Sequence, residues 1–154
     1  MRARELSEPY PTVGLDSQAV EAAKAMAGQR LPGLIVCDRE GHPYTVLPGS
    51  QVLRFLIPRY VQDDPALARV FGEKASDAMW GKLSSSTVRD VLPPKQDVDE
   101  LPIVDGDATT IEVAAVMARM HSPVVAVVEG GEVLGAITVS RLLAHLVPEA
   151  PTSP

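Results

Sequence analysis

Leu31-Pro32-Gly33-Leu34-Ile35-Val36-Cys37 returns late in the chain as Ser122-Pro123-Val124-Val125-Ala126-Val127-Val128, at an offset of 91 positions. The same offset pairs Pro11 with Pro102, Val13 with Val104 and Asp16 with Asp107. It also pairs Glu21 with Glu112, Ala23 with Ala114, Met26 with Met117, and Ala27 with Ala118. One deleted residue near Gly130 then aligns Gly41 with Gly131, Ser50 with Ser140 and Leu53 with Leu143. The matches fall at equivalent points of one pattern, which marks an internal duplication rather than scattered coincidence.

Each copy reads as strand, helix, strand, strand, helix. In the first, Ala19, Ala22/Ala23, Met26 and Ala27 recur at helical spacing, predicting a helix from Asp16 to Gln29 capped by Asp16 or Ser17. In the second, Thr109-Thr110-Ile111-Glu112 has the capping-box pattern, and the helix behind it is apolar nearly all round. Proline ends each helix, and the β-branched run after it suits a strand covered on both faces. Asp38-Arg39-Glu40-Gly41 and Glu129-Gly130-Gly131 supply tight turns, so Pro43 to Leu47 and Val133 to Ile137 return as antiparallel strands. Ser50 and Ser140 are the expected caps of the closing helices. Between the copies, Asp64-Pro65 starts one linking helix with a stripe of Leu67, Val70/Phe71, Ala75 and Ala78/Met79, ending near Trp80-Gly81.

The 154 residues are 45% hydrophobic and only 4% aromatic, enough for an aliphatic core. The net charge is −6 and no Lys/Arg cluster appears, which argues against nucleic acid as a partner, because phosphate neutralisation carries most of that affinity. The opening residues hold no apolar stretch of the signal-peptide kind, and no run approaches the roughly 20 apolar residues of a membrane span. Cys37 is the single cysteine and sits in an apolar run, so it reads as a small core residue rather than a nucleophile. The expectation is a cytoplasmic protein without membrane insertion.

With the repeat in hand, the residues resemble the cystathionine-β-synthase (CBS) domain family. Ser122-Pro-Val-Val-Ala-Val-Val128, a Gly turn, and Val133-Leu-Gly-Ala-Ile-Thr-Val-Ser-Arg-Leu-Leu143 are similar to the family's signature of proline, apolar run, glycine turn, then Gly-apolar-apolar-Thr-x-x-Asp-Leu. The first copy departs from it, with Thr45 for the signature glycine and Pro48 for its threonine. The resemblance implies an α/β (α+β) fold of two tandem CBS repeats about a pseudo-two-fold axis, each a small sheet packed against helices, with two clefts between them. Residues 1–57 would form repeat 1, 58–86 the linking segment, 87–147 repeat 2, and 148–154 a flexible tail.

For function, the resemblance implies a stand-alone regulatory module and not an enzyme. It would bind an adenine nucleotide (AMP, ADP or ATP) or a similar small anion in an inter-repeat cleft, form a homodimer, and modulate a partner enzyme or transporter. The family's ribose-binding Asp position is held here by Gln51 and by Arg141. An Asp carboxylate accepts bonds from ribose hydroxyls; the Gln51 amide accepts without charge, whereas the Arg141 guanidinium only donates and suits phosphate or carboxylate. Thr138 and Ser140 lie beside a helix N-terminus that favours an anion. Thr12-Val13 and Ile103-Val104 hold the positions that line the family's base pocket. Pro32, and His121-Ser122-Pro123, hold the helix–strand junctions facing the ligand, and Ser50 and Gln51 open the first closing helix. Of the two clefts, the one with Thr138 and Arg141 offers more anion chemistry. The plain alternative makes Ser140 a cap, Arg141 a solvated helix residue and His121 an ordinary junction residue. The module would then be a ligand-free dimerisation or interaction scaffold with vestigial clefts.

Catalysis finds little footing. His42, His121 and His145 show no metal-ligand spacing, and no nucleophile elbow, phosphate loop or Cys-x-x-Cys is present. Asp63-Asp64 and Asp97/Asp99-Glu100 read as solvated helix-start and loop acids.

Overall fold

The computed structural model describes residues 1–70, 72–93 and 101–147. Phe71 of the expected stripe, the Asp97/Asp99-Glu100 cluster and the tail 148–154 lie outside the described residues.

The first sheet is built from β1 (Thr12–Gly14), β2 (Gly33–Cys37) and β3 (Pro43–Pro48), with β2 parallel to β1 and antiparallel to β3. The second repeats it with β4 (Ile103–Asp105), β5 (Val124–Glu129) and β6 (Glu132–Thr138). The hairpin turns hold their glycines at positive φ, Gly41 at 84° and Gly131 at 82°, where a side chain would be strained. Helices α2 (Ala19–Gln29) and α3 (Gly49–Leu56) back the first sheet, and α7 (Thr110–Met120) and α8 (Val139–Leu146) back the second.

Strand periodicity sorts each central strand between two cores. Leu34 and Val36 face the helices of the first half, while Ile35 and Cys37 face the other sheet. On β5, Val125 and Val127 face helices, and Val124 and Ala126 meet Ile35, Cys37 and Val46 across the sheet–sheet core. The Cys37 thiol is buried there, and burial, helped by Asp38, raises its pKa and keeps it protonated.

Two short helices cross over between the halves. Helix α1 (Ala3–Leu6) hydrogen-bonds Ala3 N–H to Ala108 O at 2.8 Å and Arg4 N–H to Gly106 O at 2.9 Å, and buries Ala3 and Leu6 in the core of the second half. Helix α6 (Val88–Val91) does the reverse, bonding Val88 N–H to Ser17 O and Arg89 N–H to Leu15 O, both at 2.9 Å, with Val88 and Val91 in the first core. Arg4–Asp107 (2.7 Å) and Arg89–Asp16 (3.2 Å) are matching ion pairs of the two crossings. Each sheet is thus finished by a helix from a distant part of the chain.

Several local expectations need correction. Thr109 does cap α7, accepting from Glu112 N–H at 3.2 Å. The cap of α2 is Gln18, because Asp16 is engaged by Arg39 and Arg89 and the Ser17 hydroxyl accepts the Gly14 N–H at 2.9 Å. The closing helices begin before the serines: Pro48 precedes α3 without a side-chain cap, and Thr138, not Ser140, caps α8 by accepting from Arg141 N–H at 3.2 Å. The linking region is three pieces, α4 (Arg59–Asp63), a 3₁₀ turn (Pro65–Val70) and α5 (Glu73–Ser84). Gly72, extended at φ −96°, ψ −160°, interrupts the expected single helix, as its poor helix propensity favours. Leu67 and Val70 of the expected stripe are exposed; instead α5 lies on α2 and α3 and buries Leu83 in the first core. Lys82 tightens that docking, with Nζ 4.2 Å from the Phe55 ring centre and donating to Phe55 O at 2.6 Å.

Candidate functional site

Of the two clefts that the duplication implies, the first lies where the closing helix of the first half meets the helix–strand junction of the second. The first is a cavity of about 180 Å³ that brings Thr45, Pro48 and Gln51 of the first half against Pro102, His121 and Ser122 of the second. Leu92 and Pro93, which follow α6, form another wall, with Tyr44, Val46 and Met120 completing it. Its volume falls below the about 300–1,000 Å³ usual for small-molecule pockets, so a nucleotide needs a wall to give.

His121 ends α7 in the left-handed region (φ 51°, ψ 36°), as Arg30 ends α2 (φ 54°, ψ 47°). That backbone turns the chain from helix into strand and leaves the imidazole exposed at the cavity. Ser122 beside it is buried, and its hydroxyl donates to Val124 O at 2.6 Å, holding the junction in shape.

Both substituted ribose positions do the same job. Gln51 Nε2 donates to Val91 O at 2.9 Å, and Arg141 Nε donates to Leu6 O at 3.0 Å. Each caps the last carbonyl of a crossing helix, a task for a donor that an ionised Asp cannot perform. Gln51 also lines the first cavity, and its amide oxygen is of a kind that accepts. Arg141 also pairs with the Glu8 carboxylate at 3.2 Å, so its fork is engaged from within the chain.

The remaining expected residues scatter. Thr138 and Ser140 share a hydrogen bond of 3.2 Å at the start of α8. The Pro123 carbonyl accepts the Val139 N–H at 3.1 Å, and the Pro32 carbonyl the Gly49 N–H at 2.9 Å, each tying a junction to its own closing helix. Ser50 is exposed. Ile103 packs in the sheet–sheet core, Val104 in the second helix-side core and Val13 against the first. Thr12 lines a different cavity of about 410 Å³, with Tyr10, Cys37, His42 and Gly135. His121 and Ser122 of the second half line the same cavity as Gln51 of the first. Sequence reasoning missed Leu92 and Pro93; the recurrence of α1 as α6 at an offset of 85, not 91, is the signal that points to them.

Among the described residues no helix is long and apolar enough to cross a membrane. Comparison with family models matches residues 88–148 to the CBS domain. No curated protein matches. Among solved structures, a CBS domain-containing protein of unknown function from Kribbella flavida is 53% identical, with 96% of this chain and 99% of that one covered and a TM-score of 0.79. The CBS domain of a CBS domain-containing membrane protein from Sphaerobacter thermophilus shares the fold at 23% identity, covering 97% and 90%, with a TM-score of 0.71. CBSX2 in complex with AMP shares it at 14% identity, covering 94% and 95%, with a TM-score of 0.65. Two three-stranded sheets with matching helices, duplicated along one chain and aligned nearly end to end with the Kribbella flavida protein, show that this chain belongs to the CBS-domain proteins as a tandem CBS pair.

Proposed function

We propose that this CBS pair is a non-catalytic regulatory module that takes an adenine nucleotide in its first cleft and passes the occupancy to a partner protein. The observation that carries this reading is the cavity joining Gln51 of one half to His121 and Ser122 of the other, with an apolar wall of Val46, Leu92 and Met120. The Gln51 oxygen accepts from a ribose hydroxyl, His121 meets the phosphate, and the apolar wall receives the base. CBSX2, which shares the fold, holds AMP. The first cleft is preferred to the second because Arg141 of the second is already paired with Glu8 and Leu6.

A ligand that binds the native state raises its apparent stability by mass action. AMP, ADP and ATP are therefore screened by thermal shift; a rise with at least one, reduced in Gln51→Ala and His121→Ala, is the expected result. A cooperatively melting protein that responds to none of the three would overturn the reading.

A second reading, a dimerisation scaffold with vestigial clefts, draws on the helix faces. Helix α5 covers α2 and α3 in the first half, whereas the α7–α8 face of the second leaves Ile111, Leu143, Leu146 and Val147 exposed. That face would dock a second copy of this chain. Sedimentation decides it: a dimer at micromolar concentration supports this reading, and a monomer throughout removes it.

A further inference from the structure

The two clefts differ because of two residue exchanges between the copies. The crossings set the equivalence: α1 and α6 make the same backbone bonds to matching loops, so Leu6 corresponds to Val91 and Glu8 to Pro93. Glu8 pairs with Ala136 as a short antiparallel bridge, its N–H donating to Ala136 O and its carbonyl accepting from Ala136 N–H, both at 3.0 Å. Proline at 93 has no N–H and cannot form the matching bridge at Val46. The neighbour on β6 is Gly135, and a Cβ there would stand 2.3 Å from Glu8 O. The corresponding β3 residue is Thr45, which carries the Cβ that Gly135 lacks and lines the first cavity.

We infer that residues 6–10 form a built-in strap that holds the second cleft shut, while the first keeps a cavity between the halves. The strap is fastened to both halves. On one side Leu6 is buried in the second core, Glu8 pairs with Ala136, and Arg141 clamps Leu6 O and the Glu8 carboxylate. On the other, Tyr10 packs in the sheet–sheet core beside Cys37 and donates its hydroxyl to Gly33 O at 2.5 Å. The Glu8–Arg141 pair is about half-exposed and weak alone. The backbone bridge and the bare approach over Gly135 therefore provide most of the hold. Releasing it frees Arg141 and lifts Tyr10 away from the Cys37 thiol.

The test copies first-cleft residues into the second, as Gly135→Thr and, separately, Glu8→Pro. Cys37 is the only cysteine, so its reaction with a thiol reagent, dithio-bis-nitrobenzoate, reads strap opening in the native protein without added label. Both variants are expected to react about tenfold faster than the parent and to exchange the Ala136 amide faster to a similar degree, as local opening requires. Should Gly135→Thr fail to fold, Glu8→Pro decides alone, since it changes only the exposed strap residue. Unchanged thiol reactivity and amide exchange in a cooperatively melting variant would overturn the inference. No ligand enters these measurements, so their failure is separate from any failure of the nucleotide reading.

Discussion

His121→Gly should make the protein more stable while weakening its response to nucleotide. His121 sits at φ 51° and ψ 36°, where its N–H bonds to Met117 O and Ala118 O close the end of α7. A residue with a Cβ bears about 1–2 kcal/mol of strain in the left-handed region. Glycine removes that strain but loses about 0.5–1 kcal/mol more backbone entropy on folding. The balance favours glycine by roughly 0.5–1 kcal/mol, worth about 1–4 °C in Tm for a chain of this size. His121→Ala keeps the strained backbone and gains nothing, so the glycine and alanine variants are compared by calorimetry. Arg30, at φ 54° on the matching turn of α2, repeats the experiment away from the proposed site. Arg30→Gly should exceed Arg30→Ala by a similar margin without affecting the nucleotide response. If neither glycine variant melts above its alanine partner, the strain argument fails. If His121→Gly keeps the full AMP shift, the role given to the imidazole fails with it. The geometry that presents the ring to the cavity is also the one that costs stability, a pattern common where function has shaped a junction.

Val88→Ala removes a fully buried side chain that the crossing helix α6 places in the first core, and should cost about 2 kcal/mol by chemical denaturation; a cost below about 0.5 kcal/mol would contradict that docking. Burial raises the Tyr10 pKa from 10.0 to about 12. Because the folded pKa lies above the unfolded one, the stabilisation from Tyr10 is complete below about pH 10 and is lost as pH rises from there to about 12. Tyr10→Phe should remove that slope from a stability–pH profile, and an unaltered slope would refute the assignment. Leu143→Arg, at a side chain 51% exposed on α8, should convert a dimer to monomer in sedimentation with little change in Tm; a dimer that persists places the contact elsewhere.

The duplication, the strand and helix order and the alternation of each central strand between two cores are legible in the sequence, because they depend on near neighbours and on periods of 2 and 3.6. Thr109 announces its helix for the same reason, being three residues from the N–H it caps. Caps contested by distant partners were not legible: Asp16 is drawn away by Arg89, 73 positions along the chain. Nor were the walls of the clefts, for the halves recur at 91 but the crossing helices at 85. The departures at Gln51 and Arg141 read in sequence as lost acceptors. Only the tertiary structure shows what each donates to, the last carbonyl of a helix from far along the chain. Sequence alone thus determined that there would be two similar halves. How the two clefts differ was decided by packing, where Glu8 finds Ala136 across a bare Gly135 while Pro93 and Thr45 forbid the same contact opposite.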